Sequence, residues 1–161
     1  MIIEIERKFM VAEVPTPDRL GPGVQIRQGY IAEDDPVNVR VRITDMKSTL
    51  TVKAGSGLAR TEVDVEISAE QAEALWLHTL GRRLDKTRHR VTVEDGEAHH
   101  VAEVDVYAGS LAGLCVVEVE FGSEAAAAAF TPPAWFGEEL TETPGWTNAS
   151  LARNGRPDRS R

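Results

Sequence analysis

The sequence predicts an α+β fold that is mainly β: eight antiparallel strands with helices packed outside them. Three observations carry that expectation. Apolar and polar residues alternate in eight segments, turn-forming residues separate several of these, and seven of the eight carry charged residues on a single face. With 161 residues, 42% apolar and 27% charged, the chain is long enough for one compact domain with a real core.

Taken in order, strands are expected near 2–11, 24–32, 37–45, 48–54, 60–68, 86–93, 98–107 and 115–121. PTPDRLGPG, EDDP, TDMKS, AGSG and EDGE supply turns between several of them. Two helices interrupt the strands. Ser68 and Gln71 form a capping box for AEQAEALWLHTL, whose Ala72, Leu75, Trp76 and Leu80 make an apolar stripe that Gly81 stops. Ser123 caps EAAAAAF in the same way, and NASLAR can form a further short helix. Residues 1–155 read as a single domain, and RPDRSR (156–161) reads as a disordered tail with nothing to bury.

The first strand, MIIEIERKFMV, sets Glu4, Glu6 and Lys8 on one face, with Arg7 as the exception on the other. The pattern repeats. Asn38, Arg40, Arg42 and Thr44 share a face, as do Thr51 and Lys53, then Arg60, Glu62, Asp64 and Glu66. Lys86, Arg88 and Arg90 follow, then Glu103, Asp105 and Tyr107, then Glu118 and Glu120.

Two architectures fit that pattern. One is a sandwich with charges facing water. The other is a closed eight-stranded barrel with the charges inside and the apolar faces outward beneath the helices. A solvent face interleaves both signs, whereas here strands three, four and six are basic and strands one, seven and eight mainly acidic. Arg outnumbers Lys on the basic faces, as suits planar forks gripping oxyanions. In a barrel, unpaired buried charges cost several kcal/mol each, so the lumen must hold water, metal and anion. The carboxylates imply a hard divalent metal and the cations a multiply charged anion.

A net charge of −8 speaks against general attraction to nucleic acid or anionic membrane. No basic-then-apolar leader and no run of eighteen apolar residues is found, so a cytoplasmic protein without membrane contact is expected. The lone Cys115 makes no internal disulfide and reads as a small buried hydrophobe beside Val117, Val119 and Phe121. His78, His89, His99 and His100 stand at no metal-ligand spacing.

EIERK has an ExExK form, and QGY (28–30), VRVR (39–42), TVK (51–53), RTEVDVE (60–66), KTRHRV (86–91), EVDVY (103–107), LAGLCVVEVEF (111–121) and NASLA (148–152) follow in order. In these motifs the chain resembles the CYTH domains, or triphosphate tunnel metalloenzymes, and bacterial inorganic triphosphatases in particular. The resemblance implies an eight-stranded tunnel, dependence on Mg²⁺ or Mn²⁺, and a small substrate containing triphosphate. It assigns Glu4, Glu6, Asp105, Glu118 and Glu120 to metal. Lys8, Arg40, Arg42, Lys53, Arg60, Lys86 and Arg88 form the phosphate cradle. Asp64 stands where the family more often has Glu, which weakens it as a metal ligand.

Hydrolysis of tripolyphosphate to pyrophosphate and phosphate is the reading adopted. Another triphosphate-processing enzyme (adenylyl cyclase, thiamine triphosphatase or nucleoside triphosphatase) and a non-enzymatic polyphosphate or nucleotide receptor are the alternatives. The catalytic candidates are Lys8, Tyr30 and Glu62. Water is activated either by a metal near Glu62 or Asp105, or by Lys8 with a lowered pKa and Tyr30 orienting it. A homodimer is left open.

Overall fold

The computed structural model describes residues 3–34, 36–55 and 58–158. Its strands are β1 (Ile3–Val11), β2 (Gly23–Asp34), β3 (Val37–Ile43), β4 (Ser48–Ala54), β5 (Ala59–Ile67), β6 (Arg83–Asp95), β7 (Ala98–Tyr107), β8 (Cys115–Glu120) and β9 (Phe136–Glu139). The helices are α1 (Pro17–Leu20), α2 (Ala69–Trp76), α3 (Glu124–Ala129) and α4 (Asn148–Asn154). Of the expected tail, residues 159–161 lie outside the described residues.

The sheet runs β5-β4-β3-β2-β6-β7-β8-β1, antiparallel throughout, and β1 closes it by pairing with β5 as well. Closure works because one strand serves two partners. The start of β1 pairs with β5 (Ile3 opposite Thr61, Glu4 opposite Arg60), while its later part pairs with β8 (Glu6 opposite Glu120, Lys8 opposite Glu118). The short β9 takes the edge of β1 that β5 leaves open, with Val11 opposite Phe136. Sequence reading missed β9, since FGEE is four residues long, contains glycine and shows no alternation. It is held by its side chain, the Phe136 ring lying 5.1 Å from that of Phe9.

Burial decides which face is which. Lys8, Arg40, Lys53, Lys86, Asp105 and Glu118 are all buried, although each belongs to the charged face of its strand. The sandwich is therefore excluded and the charged faces line the interior. Outside the ring, Phe9, Val104, Val117, Val119 and Phe121 pack with Phe130 and Phe136, and Cys115 lies in this cluster as a buried thiol. On another side, α2 sets Ala72 and Trp76 over Val41, Ile43 and Ile67.

The helices cover less of the outer face than expected. Val37, Val52, Val63 and Val65 remain 39–52% exposed. The capping box of Ser68 and Gln71 is present, with Gln71 N donating to Ser68 Oγ and Ser68 N to Gln71 Oε1. The helix itself ends at Trp76 and a 3₁₀ turn follows, so Leu80 is exposed rather than part of the stripe. Gly29 in QGY is needed for close approach: a Cβ there would stand 2.7 Å from the Thr79 side chain.

Candidate active site

The ring encloses a cavity of about 990 Å³. Alternation puts successive even-numbered residues of β1, β3 and β5, and Lys53 of β4, on its wall. Glu4, Glu6, Lys8, Arg40, Arg42, Lys53, Arg60, Glu62 and Asp64 all line it, joined by Arg88, Glu118 and Glu120. A bulge in β2 between Tyr30 and Ala32 shifts the register, so that Glu33 as well as Tyr30 reaches the wall. Sequence reading missed Glu33, because a bulge breaks the parity on which face assignments rest.

The charges fall into two ion-pair networks. On the β1–β5–β4 side, Lys53 Nζ lies 2.7 Å from Glu4 Oε2 and 2.7 Å from Glu62 Oε2, Arg60 pairs with Glu6 and reaches Glu4 at 3.6 Å, and Arg40 meets Glu62 at 3.2 Å. On the β6–β7–β8 side, Arg88 bonds Asp105 at 2.7 Å and Glu118 at 2.9 Å, and also pairs with Glu103. Lys8 Nζ meets Glu118 at 2.8 Å and donates to the Trp146 carbonyl at 3.3 Å.

Several donors are left for a ligand. Arg40 Nε and Arg60 Nε are buried without a hydrogen-bond partner among the described residues. Among the described residues Arg42 uses only Nε, donating to Gln28 Oε1 at 3.0 Å. Burial, with Arg40 and Arg88 nearby, lowers the Arg42 pKa to about 10, which still leaves it charged at neutral pH. An unmade hydrogen bond at a buried donor is costly, so these groups favour an incoming oxyanion.

The carboxylates of the first network are crowded. Burial and the charge of Glu6 push Glu4 up to about 7 despite Lys53. Burial, Glu103 and Glu6 likewise raise Glu120, which stands opposite Glu6 across β1 and β8. Excess negative potential among hard oxygen donors is chemistry that fits Mg²⁺ or Mn²⁺. Among the described residues no three such groups converge as a formed cluster, since nearly every carboxylate is drawn onto a cation.

The structure places several expected site residues differently from the sequence reading. Lys86 and Asp105 do not reach the wall: their side chains have no exposed surface, and they pair with each other at 2.5 Å behind it. Asp105 is thus saturated by Lys86 and Arg88, and burial with Arg88 nearby lowers Lys86 to about 7. Lys8 does not have a lowered pKa. Burial opposes its charge, but Glu118 and Glu6 outweigh burial and raise it, which removes the ground for a neutral base. Among the described residues no hydrogen bond joins Tyr30 to Lys8; the Tyr30 hydroxyl accepts from Gln28 Nε2 at 2.7 Å. Glu62 remains on the wall as expected: burial alone would raise its pKa, yet Lys53 and Arg40 bring it down to about 2, so it is a carboxylate there.

Arg90 is exposed at the rim and pairs with Glu103 at 3.1 Å. His89 Nδ1 lies 3.0 Å from the Gly21 carbonyl and His100 packs edge-on to Phe121 and Phe130, both structural uses. Trp146 is buried in a core with Leu140 and Leu151.

A closed β ring with inward arginines, buried free donors and crowded carboxylates defines a β-tunnel protein built to take a polyvalent anion. The chain belongs to the CYTH domain family, which matches residues 2–144. It is 45% identical over 150 residues to an inorganic triphosphatase of Nitrosomonas europaea, covering 92% of this chain and 96% of that one. An inorganic triphosphatase of Acetivibrio thermocellus is 35% identical over 153 residues, covering 94% of each. A crystal structure of an inorganic triphosphatase superposes with a TM-score of 0.69 at 42% identity, covering 98% of this chain and 99% of the other.

Proposed function

We propose that this chain hydrolyses inorganic triphosphate to pyrophosphate and phosphate in a reaction that needs Mg²⁺ or Mn²⁺. The observation that carries the reading is the cavity itself, where Arg40 and Arg42 keep donors unused on one part of the wall and Glu4, Glu6 and Glu120 stand on another. The near full-length similarity to two inorganic triphosphatases supports the choice of substrate.

Arg40 and Arg42 bind the phosphoryl oxygens, Arg88 adds its charge from within its pairs with Asp105, Glu103 and Glu118, and these fixed charges stabilise the negative charge that moves onto the leaving group. Lys8, Lys53 and Arg60 act as further cations on the wall, each now engaged by a carboxylate. Glu4, Glu6 and Glu120 are the carboxylates that would hold a divalent ion, which would supply charge neutralisation at the phosphate oxygens. Water oxygen forms the new bond to the terminal phosphorus, the bridging P–O bond breaks and its electron pair leaves with pyrophosphate; one proton of the water stays on the phosphate formed and the other passes to a phosphate oxygen of substrate or product. Glu118, engaged by Lys8 and Arg88, orients those cations. A receptor that only bound the anion would be weakened by so many carboxylates on the same wall.

Among the described residues no helix is long and apolar enough to cross a membrane. A cytoplasmic location is proposed on the same composition as before.

The test is phosphate release from tripolyphosphate with Mg²⁺, with Mn²⁺ and with chelator, in the native chain and in Glu6→Gln. Metal-dependent release that the variant loses while still folded is expected. Undiminished release in chelator would overturn the metal requirement.

A further inference from the structure

Gln28 has no exposed surface and stands behind the wall on which Tyr30 and Arg42 lie. Two residues apart on β2, Gln28 and Tyr30 share its inner face, and Gln28 is directly opposite Arg42 on β3. Arg42 Nε donates to Gln28 Oε1 at 3.0 Å, and Gln28 Nε2 donates to the Tyr30 hydroxyl oxygen at 2.7 Å.

The direction of this chain of bonds follows from chemistry. A guanidinium has donors only, so the carboxamide oxygen must face Arg42. The amide nitrogen then faces Tyr30 with hydrogens alone to offer, which makes the phenol oxygen the acceptor. The phenol's own hydrogen is therefore free to be donated elsewhere, and the ring lies on the cavity wall.

We infer that Gln28 is a positioning residue that turns Tyr30 into a hydrogen-bond donor toward the bound oxyanion and fixes the Arg42 fork with its terminal N–H groups toward the same ligand. The inference rests on the reading that this cavity binds triphosphate. Phosphate oxygens in the substrate are acceptors, so a phenol presenting its lone pairs would repel them where a presented O–H attracts. Gln28 touches no substrate and acts through its two neighbours.

Gln28→Glu keeps the shape and reverses the bond. A carboxylate still accepts from Arg42, but it also accepts a hydrogen bond from the Tyr30 O–H and leaves the phenol's lone pairs facing the cavity. Its added charge weakens anion binding too, and that part does not depend on the hydroxyl. A cycle with Tyr30→Phe separates the two effects.

KM and kcat for tripolyphosphate with Mg²⁺, and tripolyphosphate affinity by calorimetry, are the readouts, with melting in the absence of anion as a check on folding. Tyr30→Phe is expected to raise KM roughly three- to tenfold with kcat little changed. Gln28→Glu is expected to raise it further, and its penalty is expected to shrink at least threefold in the Tyr30→Phe background. Strictly additive penalties, or an unchanged KM in Tyr30→Phe, would overturn the inference while leaving the site reading intact. Should Gln28→Glu not fold, Tyr30→Phe alone decides, since it removes a single oxygen. A native chain that neither binds nor cleaves tripolyphosphate would overturn the site reading and this inference with it.

Discussion

Lys8 and Glu118 stand directly opposite each other on β1 and β8, and Lys8 Nζ lies 2.8 Å from Glu118 Oε1. Both side chains are more than nine-tenths buried, and Glu118 also accepts from Arg88. Burial alone would raise the Glu118 pKa, but Lys8 and Arg88 hold it well below the usual carboxylate range. The pair is an interior ion pair, stable only because its members satisfy each other.

Removing one member should therefore cost far more than removing both. Glu118→Gln leaves Lys8 and Arg88 short of a counter-charge, and a loss of about 3–5 kcal/mol is expected. Lys8→Met with Glu118→Leu should lose clearly less than the sum of the single changes. Denaturant unfolding of Lys8→Met, Glu118→Leu and the double variant checks this, and additive losses would contradict the buried pairing.

Arg40 and Arg42 should affect substrate more than fold. Both side chains line the cavity, Arg40 Nε is buried without a partner and Arg42 bonds only through Nε among the described residues, and a hydrogen bond to a charged group is worth about 1.5–3 kcal/mol. Arg42→Gln is expected to lower kcat/KM for tripolyphosphate by roughly ten- to a hundredfold, with a melting temperature near that of the native chain. Steady-state kinetics beside a melt would show whether the order is reversed.

The acidic network should give the metal-free protein an unusual pH response. Glu4 is raised from 4.5 to about 7, so between those values the folded chain holds more protons than the unfolded chain. Its contribution to stability therefore falls as pH rises through that window. Glu62 is lowered to about 2, so its contribution is present above 4.5 and is lost as pH falls toward 2. Melting curves in chelator should show the native chain losing stability relative to Glu4→Gln between pH 5 and pH 7.5. Added Mg²⁺ should stabilise the native chain more at pH 8 than at pH 5.5, since metal and proton compete for the same oxygens. Parallel curves for the two proteins would remove Glu4 as the source.

The closed ring and the direction of its charged face were legible because parity along a strand survives folding. Arg40 and Arg42, Glu4 and Glu6, and Glu118 and Glu120 each differ by two residues and land on one wall. Even the exception fits. Arg7 turns outward, pairs with Glu139 at 2.7 Å and lies over the Phe9 ring. Partner choice was not legible, because Arg60 meets Glu6 and Lys53 meets Glu4 only once β1 closes on β5. Nor was depth. Lys86 shares the inner face with Arg88 yet sits behind the wall, sealed by Asp105 and the Tyr107 ring, and alternation reports a side chain's face but not its distance from the lumen. Glu33 needed the bulge in β2, which no turn residue marks.

The most direct test of the account is phosphate release measured side by side from tripolyphosphate, pyrophosphate, ATP and thiamine triphosphate with Mg²⁺ and with Mn²⁺. Tripolyphosphate cleaved well ahead of the other three, and only with metal, is the expected result. No release from tripolyphosphate while ATP or thiamine triphosphate turns over, or tight tripolyphosphate binding with no release at all, would contradict it.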